Sequence, residues 1–169
     1  LLSLMLVQKC EASVHAIEMD PLAFEEMKFN FEQSPWGDRL VAIHDDVENY
    51  KPANKYDFII SNPPFFENSL KSDHTQKNLA KHQEGLTLQM LLHCIKRLIN
   101  TDGAFAVLLP FFRSEYFQKL AAKEGYYITE VYHIRQTSGH DYFRSILFFE
   151  QKEKGTPAVI TLSVKDNSN

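Results

Sequence analysis

No stretch of this chain is apolar for the roughly 18 residues that a membrane-spanning helix needs. The opening "LLSLMLVQKC" is too short to span, and it has neither the basic start nor the small-residue cleavage site of a signal peptide. Cysteine is scarce. Cys10 and Cys94 are the only two, and without metal or redox spacing they read as two buried free thiols in a reducing cytosol. Positive charge is not in excess either: 18 Lys and Arg face 22 Asp and Glu, a net charge of −4. That excludes a global basic field for nucleic acid and leaves room only for a local basic patch. His133 and His140 have no companions at ligand spacing, so no metal is expected. Internal repeats and low-complexity tracts are absent. So is an initial methionine: an apolar helical pattern starts at once at Leu1, with nothing ahead to cap it. The expectation is a chain that begins inside a fold, with a segment missing before Leu1.

What is present fits one soluble globular domain. Hydrophobic residues make up 44% and charged residues 24% of 169, a composition that can bury a core and is neither disordered nor membranous. A short helix is expected over Leu1–Lys9 and a strand over Ser13–Met19. Asp20-Pro21 supplies an N-cap and an N1 proline for a helix reaching about Ser34. After the break "PWGD" come strands at Leu40–His44 and Tyr56–Ser61. Glu67–Gln83 is polar with little periodicity and reads as a loop or weak helix. Leu88, Leu91, Leu92, Ile95, Leu98 and Ile99 stand at helical spacing within Leu86–Ile99. A turn at Thr101–Gly103 leads to a buried strand over Ala104–Leu109, and a helix over Ser114–Lys123 stops near Gly125. Ile128–Ile134 and Ser145–Glu150 are strands joined by too few residues for a helical crossover, so they should be antiparallel. Val159–Val164 is a last strand or a tail. This order predicts a doubly wound, mostly parallel α/β sheet with an antiparallel C-terminal strand pair.

Ligands of open α/β sheets sit outside the carboxyl ends of the strands, and three successive strands end in polar residues. Glu18, closing "VHAIE", can accept from both hydroxyls of a ribose, or it is a solvated loop acid; Asp20 is the helix cap. Asp46, after "LVAIHD", can accept from the exocyclic amine of an adenine while Val47 offers a backbone N–H, or it only forms a turn. Asp45 can exchange roles with it. Asn62 opens "NPPF". Both prolines fix φ and carry no N–H, and Pro63 keeps Asn62 out of the helical region. The Asn62 side-chain oxygen and the Pro63 carbonyl can hold the two hydrogens of a planar amine, expose its lone pair and stabilise the positive charge that grows on nitrogen. Phe65 offers a flat face on which a base can stack.

Asn-Pro-Pro-aromatic after a hydrophobic strand resembles the catalytic motif of class I S-adenosylmethionine-dependent methyltransferases that act on amino or amide nitrogens. The longer run "SNPPFFENSLKSDHTQKNLAKHQEGLTLQMLL", with "QTSGHDYFRSILFF", "IEMD" and "HDDV", resembles the tRNA1(Val) (adenine-37-N6)-methyltransferase family over nearly the whole chain. The resemblance implies a Rossmann-like methyltransferase sheet in one domain, residues 1–169. It implies S-adenosylmethionine as cofactor and tRNA as partner, for a cytoplasmic monomer with no metal and no membrane attachment. Glu18 would bind the cofactor ribose, Met19 would pack on its adenine, and Asp46 and Val47 would read the adenine edge. Asn62, Pro63, Pro64 and Phe65 would hold the target base, Phe65 standing where many members have tyrosine. The family's first strand and glycine-rich loop are absent; they should precede "LLSLMLV", and the native protein is expected to have them. The nearest rivals are glutamine N5-methylation of a protein and guanine N2-methylation of ribosomal RNA. A non-catalytic RNA- or nucleotide-binding domain is the rival from another class, and a nicotinamide-dependent oxidoreductase leaves "NPPF" unexplained.

The remaining candidates have two readings each. Lys71, Lys77, Lys81 and His82 are RNA-phosphate contacts or a solvated loop. Arg113, Arg135 and Arg144 are phosphate contacts or surface charges. Phe105, Phe111, Phe112, Phe148 and Phe149 read mostly as core by pattern, although Phe111 and Phe112 follow a strand end and can instead line a pocket.

Overall fold

The computed structural model describes residues 1–63 and 87–165. Pro64, Phe65, the polar segment Glu67–Gln83 and its Lys71, Lys77, Lys81 and His82 lie outside the described residues. The chain forms two compact units, residues 1–52 and 53–169.

In the first unit, helix α1 (Leu2–Val7) is followed by β1 (Val14–Glu18), α2 (Pro21–Glu32), a 3-10 turn (Gly37–Arg39) and β2 (Leu40–His44). Asp20 caps α2 as expected, its Oδ1 accepting from Ala23 N–H at 2.8 Å, with Pro21 at the first helical position. The Arg39 guanidinium donates to the Val7 and Cys10 carbonyls at 3.2 and 2.6 Å. It thereby satisfies the carbonyl that closes α1 and one in the link that follows. Val7, Phe31 and Leu40 form the small core, with Val14, Met27 and Trp36 packed on it. Cys10 departs from its expectation. It is exposed, not buried, because it follows the last turn of α1 on the solvent side, where its thiol donates to the Leu6 carbonyl.

The second unit carries β3 (Tyr56–Ser61), α3 (Leu88–Leu98), β4 (Ile99–Pro110), a 3-10 turn (Phe111–Arg113), α4 (Ser114–Lys123), β5 (Tyr127–Arg135), β6 (Tyr142–Glu150) and β7 (Ala158–Ser163). Thr87 caps α3, which buries Leu91, Leu92, Ile95 and Leu98 along one face. Helix α4 stops as its sequence suggests. Gly125 takes φ +82°, Tyr126 N–H bonds back to the Ala121 carbonyl, and Gly125 N–H bonds to that of Ala122. This is the double closure of a Schellman motif, and its left-handed residue favours glycine.

Strands β1 and β2 pair parallel, while β3-β4-β6-β5-β7 form a five-stranded sheet. Pairs β3–β4 and β5–β7 are parallel, and β6 runs antiparallel to both neighbours. The C-terminal pair β5–β6 is thus antiparallel, as its short connection requires, and the last segment is a strand. The turn expected at Thr101–Gly103 is instead an irregularity inside β4. Tyr56 pairs with Ile99, yet Phe58, two residues on, pairs with Ala104. The β4 residues between them are extra in the register. A Cβ on Gly103 would lie 2.7 Å from Ile99 Cγ1 and 3.0 Å from the Asp57 carbonyl, so only glycine lets the backbone pass.

Candidate functional site

The carboxyl ends of β1 and β2 place their residues side by side, because the parallel register matches Glu18 with His44. Asp45 N–H donates to the Glu18 carbonyl at 3.2 Å. Glu18 is half-buried and its Oε1 accepts from Asp20 N–H at 2.9 Å. A carboxylate has about four lone-pair sites, so this bond fixes its orientation and leaves acceptor capacity for a pair of hydroxyls. Met19 is 67% exposed, an apolar side chain offered to solvent beside that carboxylate. Asp46 is half-buried. Its backbone N–H is held by Asp45 Oδ1 at 2.8 Å, and its own Oδ1 accepts from Glu48 N–H at 2.9 Å. The turn reading of Asp46 is therefore real, and it orients the carboxylate without saturating it. Val47 continues the turn, half-buried. Four predicted residues, Glu18, Met19, Asp46 and Val47, are thus brought to one edge of unit 1, and their acceptors suit ribose hydroxyls and an exocyclic amine.

His44 escaped the sequence reading. Its Nε2 lies 3.3 Å from the Met19 carbonyl, and its ring stacks on Phe24 with centroids 4.7 Å apart. It fastens the end of β2 to the turn after β1. A histidine at the last strand position, with an aromatic in the first turn of the preceding helix, is the only trace of this in the sequence. An open groove of about 930 Å³, lined by Phe24, Lys28, Phe31, Pro35 and Leu40 among others, lies at the start of β2, the end away from Glu18 and Asp46.

In unit 2, β3 ends at Ser61, paired with Val107 of β4. Pro63 is buried and Asn62 is exposed. Among the described residues the Asn62 side chain has no hydrogen-bond partner. A fixed proline seated in protein therefore holds an outward-facing amide at the carboxyl end of a strand. Pro64 and Phe65, the rest of the motif, lie outside the described residues.

One further polar pair sits at this edge of the sheet. Ser145 is fully buried on β6, and its Oγ lies 2.9 Å from His133 Nδ1 on β5. Burial pushes the imidazole of His133 below its ordinary value of 6.5, because a charged ring is poorly solvated there. The unfolded chain then binds a proton that the folded chain resists. The stability tied to neutral His133 is complete above its unfolded pKa and is lost as pH falls below it. Melting between about pH 7.5 and 5.5 should show His133→Gln losing part of the wild type's acid sensitivity. Equal slopes for the two proteins would show that His133 does not contribute.

Among the described residues, no helix is long and apolar enough to cross a membrane, and no three His, Cys, Asp or Glu side chains gather as metal ligands.

The chain is 40% identical over 148 residues to a tRNA1(Val) (adenine(37)-N6)-methyltransferase of Aliivibrio salmonicida, covering 87% of this chain and 63% of that protein. It is 39% identical over 130 residues to the protein of the same name from Bacteroides fragilis, covering 75% and 55%. The chain thus spans somewhat over half the length of these relatives. In three dimensions it resembles a predicted O-methyltransferase of Agrobacterium tumefaciens (TM-score 0.71, 12% identity, 98% of this chain and 76% of the other). It also resembles a methyltransferase of Pyrococcus furiosus (TM-score 0.62, 18% identity, 89% and 68%). At such identities the likeness establishes the class I Rossmann-like fold. Residues 1–129 match the methyltransferase small domain, and this chain belongs to that family.

Proposed function

We propose that residues 1–169 form one methyltransferase domain that transfers a methyl group from S-adenosylmethionine to the exocyclic amine of an adenine in tRNA. The observation that carries the reading is Asn62, exposed at the carboxyl end of β3 on the buried Pro63. The names and identity of the relatives support tRNA as substrate and adenine N6 as the acceptor. The protein would work as a cytoplasmic monomer.

S-adenosylmethionine, when bound, supplies a methyl group on a positively charged sulfur. Glu18 would accept from the hydroxyls of its ribose, with Met19 covering the adenine and Asp46 and Val47 reading the adenine edge. The target base must leave its stack to reach the protein. The Asn62 side-chain oxygen and the Pro63 carbonyl would accept the two amine hydrogens, which turns the lone pair of nitrogen outward. On taking the methyl, as the sulfur leaves as a neutral thioether, the nitrogen would become cationic, and the same two acceptors would stabilise that charge. The proton then leaves to solvent, so no strong general base is required. Phe65 would stack the base, and Pro64 would keep the loop stiff.

The cofactor half of this reading is testable alone. Glu18→Ala in the full-length protein should weaken S-adenosylmethionine binding by roughly 10- to 100-fold, as expected for a lost hydrogen bond to a charged acceptor. Isothermal titration calorimetry measures it, and unchanged affinity would remove Glu18 from the site.

A further inference from the structure

The edge of the sheet at which β3 and β4 end is also where β5 ends and β6 begins, since β6 runs antiparallel to both β4 and β5. Aromatic rings and arginines collect there. Phe111 packs on His133 and Tyr142 with centroids 5.0 and 5.2 Å apart, and His133 lies 5.0 Å from Tyr142. The Arg135 guanidinium stands 6.0 Å over the Tyr142 ring, and that of Arg113 stands 5.4 Å over Phe112. Arg144, in register with Pro110 and Ile134, falls on the opposite face of β6 from Ser145 and His133 and is not part of this cluster. Phe112 is 69% exposed, so the core does not account for it. Two arginine–ring pairs at one edge are notable in a chain of net charge −4.

An exposed ring with a guanidinium on one face presents its other face for stacking. Neighbouring arginines supply the charge that a phosphate backbone needs. Together these are the two components of a single-stranded nucleic-acid platform. A protein segment would match the rings but would need several carboxylates to match the arginines.

We propose that Phe112, Arg113, Tyr142 and Arg135 form a platform that binds unpaired RNA and stacks a base neighbouring the one presented to Asn62. The position of that base rests on the function proposed above; the platform itself does not. Asn62 follows β3, and Phe111 and Phe112 follow the adjacent β4, so both features lie at the same end of neighbouring strands, β4 running about 10 Å beyond the level of Ser61.

The test uses the full-length protein and an unmodified tRNA1(Val) transcript, with binding read by fluorescence anisotropy. Phe112→Ala should weaken binding about tenfold, within the range for one lost base–aromatic stack. Phe112→Tyr should restore it. Arg113→Ala should weaken binding and make its salt dependence shallower. In methyl transfer the loss should fall on KM for tRNA and not on kcat. Parental affinity in both alanine variants would overturn the platform. So would an equal loss on a blunt RNA duplex without unpaired bases, or a wild type that binds a glutamine-bearing protein but no RNA. If the wild type binds the transcript and Phe112→Ala weakens that binding, yet no methyl is transferred, the platform stands and the methylation reading falls.

Discussion

Asn62→Ala should lower the rate of methyl transfer to tRNA by about 10²- to 10³-fold, the range for removing one preorganised group from a developing charge. Cofactor affinity should stay at its parental value, because the residues read as holding the cofactor are Glu18, Met19, Asp46 and Val47. Stability should hardly move. Asn62 is exposed and has no partner among the described residues, and substitutions at such positions cost within about 0.5 kcal/mol. The combination is diagnostic: a protein that folds, binds S-adenosylmethionine and does not transfer. Single-turnover transfer of labelled methyl with the full-length protein measures the first part, and calorimetry measures the second. Wild-type turnover in Asn62→Ala would reject the amine-holding role. Loss of transfer together with loss of cofactor binding would make Asn62 structural.

Much of this was legible because the informative signals are local. Asp20-Pro21 announces a helix start wherever it falls, and the Ala23 N–H to Asp20 bond confirms it. The apolar spacing of Leu91, Leu92, Ile95 and Leu98 needs no tertiary information to mark a buried face. Glu18, Asp46 and Asn62 could be picked out because strand ends are readable from hydrophobic runs and because α/β sheets bind ligands at those ends. What the sequence concealed depends on partners distant along the chain. Thr-Asp-Gly reads as a turn, but β4 runs on through it while its pairing with β3 skips from Ile99 to Ala104, and Gly103 is needed for the close approach of Asp57 and not for a reversal. Cys10 looked like core because cysteine usually is; its place beyond the last turn of α1 decides otherwise. The clustering of Phe111, His133 and Tyr142 needs the order β4-β6-β5, which no local pattern states.

The largest loss of stability should come from Phe105→Ala. Phe105 has no exposed surface. It stacks on Phe149 with centroids 4.9 Å apart and meets Tyr126 edge-on at 5.1 Å. Phe149 in turn packs against Phe117 of α4, so the hole would open between the sheet and a helix. Such a truncation costs about 3–5 kcal/mol, against a whole-domain stability of roughly 5–15 kcal/mol. On the function proposed for Asn62 the cost should reach activity as well, because Phe105 pairs in register with Ile59, three residues before it. Phe105→Leu keeps most of the volume and should recover a good part of the loss. Phe112→Ala is the control: the same truncation seven residues along, at an exposed ring, should cost no more than about 0.5 kcal/mol. Urea denaturation followed by circular dichroism compares the three. A loss below about 1 kcal/mol in Phe105→Ala would mean that this core collapses around the missing ring, and that the strands carrying Asn62 do not depend on it.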